Sequence, residues 1–503
     1  MDRKRAKKIR SARVIMTNIF MALSVVAIVF VLMLIAMGFS FNENGSLEQS
    51  GLLQISSRPS GATVEIDGKV QFGHTTINKL LSSGEHHILI SKDGYDTWQK
   101  DVRIDSGLLT NINWVRLFPL NPVTEKVLTF DEPRLLSFSS NRKNLLYGEQ
   151  ESYNLILVNI QDDELVENKI DITKILGITN HEVARTANLS VMSWNEAGNK
   201  IILTWKNDEE VFWYLADLES PENSINLSSK FGYNFSTIRI ANESASKLWA
   251  VENGNLHLID LSNLTIHQTK IANIESITNN RDTVVYVGTD ATTKIRSISV
   301  FREGETGPSV VKDLSGINAS TITLSTGTYW GEDWLAFSID KNINLLGGKY
   351  PSFDKPVKNS LKSILKRELG YAPTNISRDN EQHIVVFSNG TNRTAFDFET
   401  KDYFDSRTGT SVKANWLDDY ILWYKEANKI FIQDFDGNNT REIISEINNN
   451  QPICLSENNR WLYYFDVVEK KVKTDSETST AAPTETTEKA EIKYTLTRKA
   501  LNQ

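Results

Sequence analysis

The sequence predicts a single-pass membrane protein whose part outside the membrane is all β. Three observations support this fold class. One uncharged apolar run, residues 19–41, follows a basic N-terminus. After this run no long amphipathic helical pattern is found, and short alternating strands separated by turn residues recur to the C-terminus. These strands form first a small domain, residues 51–120, and then a unit repeated about every 40–55 residues over 123–503.

The basic tail, residues 1–18, differs sharply in charge from the rest of the chain. It carries a local charge of +6, so that the remaining residues sum to −14 within a total of −8. An acidic body argues against nucleic-acid binding, which needs lysine and arginine to neutralise phosphates. The basic residues of the tail are Arg3, Lys4, Arg5, Lys7, Lys8, Arg10 and Arg13.

The apolar run Ile19–Phe41 is long enough to cross a membrane. As a helix, 23 residues span roughly 34 Å, whereas a secretory signal has a shorter apolar region. The weak cleavage pattern at 36–38 leaves a cleaved signal as the alternative. Positive charge lies only on the N-terminal side, and the next basic residue is Arg58. This asymmetry predicts an uncleaved signal anchor in the cell membrane, with a cytoplasmic N-terminus and an extracytoplasmic C-terminal domain.

Cys454 is the only cysteine of the chain. A single cysteine excludes an internal disulfide bond and a cysteine-based zinc site. Because it lies in the apolar run 452–455, we expect a buried core residue rather than a reactive thiol. An exported domain without disulfides fits a bacterial envelope better than an animal extracellular space.

A short polar linker, 42–50, leads into the small domain, residues 51–120, where apolar and polar residues alternate between turn signals. This pattern predicts an antiparallel β-domain. The run Arg58–Gly68 (RPSGATVEIDG) resembles the signature of PEGA domains, in which a P-x-G-A turn leads into a strand that closes on Asp-Gly. Gly84–Ile90 resembles the G-x-H strand of that family, and Lys92–Tyr95 with Val102–Ile104 resembles its G-Y turn and following strand. Thr75-Thr76 departs from the usual Thr-Pro.

The PEGA resemblance implies a β-sandwich-like, envelope-associated accessory domain with no known catalysis. His86 and His87 are neighbours, so on a strand they face opposite sides and cannot hold one metal together. Tyr95 and Trp98 could form a binding patch, but we expect them to pack over the sheet.

In the C-terminal region, 123–503, each unit has a strand, a polar turn and an apolar strand, followed by another alternating strand. This repeated unit resembles the blades of TolB-type or WD-like β-propellers. The Asp-Gly of the usual blade turn is mostly lost, and only Asn195–Lys200 stays close to it. Eight blades are favoured and seven are the alternative. We expect one short helix, Lys362–Leu369. The eight units begin near residues 135, 191, 237, 277, 321, 374, 412 and 453.

Ring closure is also predicted from the sequence. The Thr/Ser/Glu-rich stretch 474–490 is too polar to fold, and we expect it to be a disordered insertion. Alternation then returns in Glu491–Leu501, and an unassigned strand, Lys126–Phe130, precedes the first unit. Because an open propeller exposes strand edges, these two segments are expected to share one blade.

No credible catalytic pattern is present, so we expect a non-enzyme without catalytic, cofactor-binding or metal-binding residues. Asp434–Asn439 begins like a calcium loop, but Ser445 stands where the closing glutamate belongs, and a hairpin turn is the favoured interpretation. No G-x-S-x-G motif occurs. The nine strand tryptophans are expected to pack between blades, with one or two on a ligand face. The histidines that lack metal-ligand spacing are His181, His257, His267 and His383.

Three functions remain open from the sequence. The first is an envelope scaffold or binding protein, in which the membrane holds residues 19–41 and the propeller binds a protein or glycan partner. The second is a glycan hydrolase or lyase, with paired carboxylates converging at the propeller axis. The third is a sensor or assembly subunit of a membrane complex.

Overall fold

The structure is a computed structural model. It describes the backbone of residues 2–36, 38–41, 47–150, 152–207, 210–269, 271–318, 321–355, 360–408, 413–447, 449–473 and 488–501. The chain divides into two compact units, the first ending at Pro122 and the second running over Val123–Leu501.

The first unit begins with α1, Asp2–Ala36. Within it, Ile15–Leu34 is apolar and long enough to span a membrane, with a mean hydropathy of 2.5. The predicted span 19–41 is wrong at its C-terminal end, because the helix stops at Ala36. Gly38 follows with a φ of +78°, a left-handed conformation that commonly terminates helices.

A short hairpin replaces the end of the predicted span and part of the predicted linker. Strand β1, Phe39–Phe41, pairs with β2, Leu47–Gln49. The linker prediction for 42–50 is therefore wrong at residues 47–49, and residues 42–46 lie outside the described residues. Aromatic residues favour strands, which explains why the chain leaves the helix at this point.

Two sheets form the small β-domain. The first has the order β6-β3-β9 and the second β5-β4-β7-β8. The antiparallel prediction is wrong for one pair, because β3 and β9 are parallel. The chain passes through the second sheet between these two strands and so returns to β3 in the same direction. The strands are β3 Gly51–Arg58, β4 Thr63–Ile66, β5 Lys69–His74, β6 Ile77–Leu81, β7 Gly84–Ser91, β8 Trp98–Ile104 and β9 Leu109–Arg116.

The core of this domain follows directly from strand alternation. On β3, Leu53 and Ile55 are fully buried while their neighbours are not. Trp98 is buried and Tyr95 packs against the same cluster, so the packing interpretation of these aromatics is confirmed. Thr75 closes the loop that departs from the family pattern, since its hydroxyl accepts the Ala62 N–H at 3.0 Å.

Eight four-stranded sheets lie among the described residues of the second unit. We name seven of them sheets I–VII in chain order, from β11–β14 to β35–β38, and the eighth the closing sheet, with the order β10-β41-β40-β39. The strands are β10 Thr124–Asp131, β11 Pro133–Phe138, β12 Asn144–Glu149, β13 Asn154–Asn159, β14 Val166–Asp171, β15 Asn188–Trp194, β16 Lys200–Asn207, β17 Glu210–Asp217, β18 Ile225–Asn226, β19 Thr237–Ile240, β20 Lys247–Glu252, β21 Asn255–Asp260, β22 Thr265–Gln268, β23 Ile274–Asn280, β24 Thr283–Thr289, β25 Arg296–Arg302, β26 Ser309–Asp313, β27 Ile322–Tyr329, β28 Glu332–Ile339, β29 Asn342–Gly348, β30 Lys362–Glu368, β31 Asn375–Arg378, β32 Ile384–Ser388, β33 Asn392–Asp397, β34 Tyr403–Arg407, β35 Asn415–Trp416, β36 Ile421–Glu426, β37 Lys429–Asp434, β38 Arg441–Ile444, β39 Cys454–Leu455, β40 Trp461–Lys473 and β41 Glu488–Ala500.

The closing sheet joins the two ends of the second unit. Strand β41 pairs with β10 on one side and with β40 on the other, so the predicted mixing of N- and C-terminal strands is confirmed. Its apolar face packs on sheet I in a cluster that contains Phe130, Tyr147 and Leu496. The insertion predicted at 474–490 is wrong in its last three residues, which belong to β41, and residues 474–487 lie outside the described part of the chain.

The predicted helix at Lys362–Leu369 is wrong. Residues Lys362–Glu368 form β30, the fourth strand of sheet V, which pairs with β29. Leu365 packs into the core cluster of sheets V and VI, and this tertiary contact overrides local helix propensity. The short helices of the second unit were not predicted; they are α2 Ile172–Leu176, α3 His181–Thr186 and α4 Leu227–Phe231, with a 3-10 turn at Pro221–Asn223.

A polar cap recurs at the turn that follows the first strand of a sheet. Asn195 Oδ1 accepts the Lys200 N–H at 2.9 Å, and Asp379 Oδ1 accepts the Ile384 N–H at 2.7 Å. Ser456 Oγ fills the same role in the closing sheet. Because any short side-chain acceptor can close this turn, the Asp-Gly of the usual blade signature can be lost without loss of the turn.

Candidate binding site at the centre of the ring

A cavity of about 530 Å³ lies where the first strands of several sheets end. Residues of β15, β19 and β23 line it, together with Arg378 and Gln382 from sheet VI. Sheets II and VI are four positions apart among eight sheets, so a cavity that touches both lies at the centre of the ring. Turns distant in the sequence thereby meet in one place.

Three arginines line this cavity: Arg239, Arg281 and Arg378. Arg281 is paired, since its guanidinium lies 2.6 Å from the Glu243 carboxylate and 3.6 Å from that of Glu196. These contacts join sheets II, III and IV across the turns. The remaining two arginines have no comparable carboxylate partner among the described residues.

Arg378 differs from the other two arginines in the hydrogen bonding of its guanidinium group. Its Nη1 is buried and has no hydrogen-bond partner in the described part of the protein. Burial lowers the pKa of Arg378, and the nearby Asp379, Tyr350 and Glu196 only partly oppose this effect. Partial desolvation at the cavity wall likewise lowers the pKa of Arg239, although Arg239 as a residue is exposed to solvent. An incoming anion would therefore meet the guanidinium groups of both arginines and would give the buried Nη1 of Arg378 a hydrogen-bond partner.

The two tryptophans that line the cavity pack and hydrogen-bond within the propeller. Trp194 and Trp213 line the cavity but are largely buried, and their Nε1 groups donate to Ser137 and to the Phe235 carbonyl. Trp330 differs, because it is 88% exposed on the turn between β27 and β28. Among the described residues it is the most exposed tryptophan, and the expectation that one or two tryptophans contact a ligand stays a prediction.

A second polar cluster lies between sheets VI and VII. His383 is buried and its Nδ1 lies 2.6 Å from Asp379 Oδ2, while its Nε2 has no partner among the described residues. Burial raises the pKa of Asp419, helped by neighbouring acids and opposed by Arg142. Burial also raises the pKa of Glu399. The cluster therefore concentrates groups that hold protons more tightly than usual.

The residues considered for metal binding are held in other ways. In Asp434–Asn439, the Asp436 carboxylate accepts the Asn438 N–H at 2.9 Å, and Gly437 has a φ of +92°, as a hairpin turn requires. Within the described residues, no group of three or more histidine, cysteine, aspartate or glutamate side chains is arranged to hold a metal ion. His257 and His267 lie on the paired strands β21 and β22, but the register places them on opposite faces of sheet III. His181 begins α3 and His383 lies in the turn before β32, in other parts of the unit.

The neighbouring histidines of the small domain face opposite directions, as predicted. His86 Nδ1 lies 2.6 Å from Asp67 Oδ2, and His87 Nδ1 lies 2.7 Å from Asp101 Oδ1. Cys454 is buried, which confirms its assignment to the core, and burial raises its pKa to about 12.

Sequence reasoning missed the arginines of the cavity. Each lies at or near the end of a first strand, in the segments TIRI, NNR and NISR. Their positions relative to the turn differ, because Arg239 lies three residues before the capping Asn242, Arg378 lies directly before the capping Asp379, and Arg281 lies in the turn itself. No common spacing therefore marks them in the sequence.

Comparisons with known proteins found one family match and several similar structures. The family described as "PEGA domain" matches residues 50–116. No curated protein matches the chain. The chain is similar to the C-terminal WD40 domain of Sif2, with 10% identity, 74% of this chain and 98% of that chain covered, and a TM-score of 0.44. It is similar to Kluyveromyces lactis Hsv2, with 10% identity, 63% and 100% coverage and a TM-score of 0.40.

A further similarity is to a prolyl endopeptidase, with 11% identity, a TM-score of 0.42, and 70% of this chain but 52% of that chain covered. The β-propeller assignment rests on the strand pairing of the eight sheets among the described residues. The protein therefore contains a PEGA domain at residues 50–116, followed by a β-propeller and preceded by one apolar helix that is a candidate membrane anchor.

Proposed function

We propose that this protein is a membrane-anchored binding or scaffold protein of the bacterial cell envelope. Helix α1 anchors it in the cell membrane with the N-terminus in the cytoplasm, because the basic residues that flank the apolar run all lie on its N-terminal side. The PEGA domain and the propeller then lie outside the cytoplasm. The central cavity of the propeller binds an acidic group of a protein or glycan partner without chemical turnover.

One observation carries this proposal: Nη1 of half-buried Arg378 is a buried guanidinium nitrogen in an open cavity and has no hydrogen-bond partner among the described residues. A buried N–H group without an acceptor costs free energy, and a carboxylate that binds Arg378 and the nearby Arg239 would recover part of it. The cavity is within the size range of small-ligand sites, so a side chain or a sugar acid fits. Exposed Trp330 supplies flat apolar surface for the rest of a partner.

The hydrolase alternative is favoured by one observation, the raised pKa values of Asp419 and Glu399. A protonated carboxyl group is what a general acid requires. A hydrolase with paired carboxylates would also need a second carboxylate nearby. The Asp379 carboxylate is already hydrogen-bonded, because it accepts the Ile384 N–H in its turn and pairs with His383. We therefore propose binding as the function. Turnover of glycan or peptide substrates that Asp419→Asn abolishes would instead support the hydrolase.

The binding proposal is tested with the full-length protein in lipid nanodiscs. Fluorescein-labelled hexaglutamate and labelled oligogalacturonate serve as peptide and glycan probes, and fluorescence anisotropy reports binding. The double variant Arg239→Ala/Arg378→Gln should weaken the binding of the better probe at least about tenfold, because a charge-assisted contact is worth about 1.5–3 kcal/mol. Arg407→Ala, at the exposed end of β34, is the matched control and should bind normally. Equal affinity of the double variant would refute the cavity as the site.

A further inference from the structure

Three leucines form a continuous exposed row across one sheet of the PEGA domain. In the register of sheet β6-β3-β9, Leu52 lies opposite Leu80 on one side and opposite Leu109 on the other. Their exposed fractions are 54% for Leu80, 37% for Leu52 and 57% for Leu109. Leu108, beside this row, is exposed as well. Directly paired residues are nearest neighbours on a sheet face, so the row is one apolar surface, the leucine row.

The leucine row lies at the end of the sheet nearest the apolar helix. The Ser50 N–H donates to the Gly38 carbonyl at 2.7 Å, only two residues beyond the end of α1. The Gly107 N–H donates to the Ser50 carbonyl at 3.0 Å, and the Leu52 N–H donates to the Leu108 carbonyl at 2.9 Å. These bonds connect the helix exit to the strand ends that carry the leucines.

The same sheet face becomes polar one row farther away. Two residues along each strand, Gln54 lies opposite Asn78 and Asn111. Asn78 is exposed and the other two are half-buried. On this face of sheet β6-β3-β9, the exposed leucines thus lie in the row beside the helix exit, and a row of amides borders them. A surface that changes from leucine to amide within one row matches the polarity change at the boundary of a bilayer.

We propose that the leucine row rests in the outer interface of the membrane that holds α1, with the amide row facing the headgroups and water. The proposal rests on the membrane anchor of the proposed function. Continuity with the apolar helix favours lipid as the occupant. A second copy of the chain fits less well, because four partly exposed leucines present far less than the approximately 800 Å² per partner that stable protein interfaces bury. Lipid contact would hold the PEGA domain against the membrane.

The test uses the full-length Cys454→Ala protein in phosphatidylcholine/phosphatidylglycerol vesicles. A single cysteine at Leu80 carries an NBD label, and the matched control carries the label at Asn78 on the same strand and face. Vesicles with shallow doxyl-labelled lipids should quench the Leu80 label at least about threefold more than the Asn78 label, as an apolar surface inserted a few ångströms deep requires. The Leu80 label should also emit at shorter wavelength.

A second variant tests the leucines themselves. Leu52→Glu/Leu109→Glu should remove most of the quenching at position 80, whereas Asn78→Glu should not. A label at position 80 that is exposed to water would overturn the proposal. A label that is shielded from water but not quenched by lipid would also overturn it, and would show that protein covers the leucine row. Alkaline extraction of the same vesicles reports the anchor separately. Retention of the chain without quenching refutes only the leucine row, whereas release of the chain refutes the anchor and the leucine row together.

Discussion

Removal of the closing strand tests how the second unit is held together. Truncation after Lys489 deletes nearly all of β41 and leaves β10 and β40 without the strand between them. It also removes Leu496 and Leu501, which are almost completely buried. Burial of a leucine contributes about 1.5–3 kcal/mol, so the two together account for about 3–6 kcal/mol. Because domains are stable by only about 5–15 kcal/mol, the truncated unit should unfold or aggregate.

A graded version of this experiment avoids total loss of the fold. Leu496→Ala should lower the free energy of unfolding by about 2–5 kcal/mol, since a large buried side chain is removed from a packed cluster. Ile492→Ala on the same strand is the matched control, because Ile492 is 38% exposed, and it should cost less than about 1 kcal/mol. Thermal and urea unfolding followed by circular dichroism measure both. Equal melting temperatures for the truncated and full-length proteins would refute the reasoning.

Three further predictions concern single residues. Cys454 should stay unmodified by Ellman's reagent at pH 8 until the protein is denatured, because burial raises its pKa to about 12. Burial alone would lower the pKa of His86, but its hydrogen bond with Asp67 raises it overall, and the pKa of Asp67 is lowered. The stabilisation from this pair should be present in mildly acidic solution, where His86 is protonated and Asp67 is ionised. It should be lost as pH rises through the raised pKa of His86, and also as pH falls through the lowered pKa of Asp67. Melting temperatures of the wild type and of His86→Asn, measured against pH, check this. Trp334→Ala should cost about 3–5 kcal/mol, as for a fully buried tryptophan, whereas exposed Trp330→Ala should leave urea unfolding unchanged.

Much of the architecture could be predicted from the sequence because its signals are local. The apolar helix, the alternation of Leu53 and Ile55, and the order of the PEGA motifs each depend on residues close together in the chain. Closure by β41 was also predictable, because apolar alternation returns after a long polar stretch. Local signals failed at Lys362–Glu368, where a helix-favouring segment is held as a strand by its partner β29.

The candidate site and the leucine row were determined by tertiary structure alone. Arg239 and Arg378 are far apart in the sequence, and only the closed ring brings them to one cavity. Leu52, Leu80 and Leu109 form a row only through strand register, and one of the two pairings is the parallel pair that the sequence did not predict. The physical reason is the same in both cases. Secondary structure depends on periodicity within a segment, whereas a surface or a cavity depends on which segments pair and with what register, and those choices are made by burial across the whole fold.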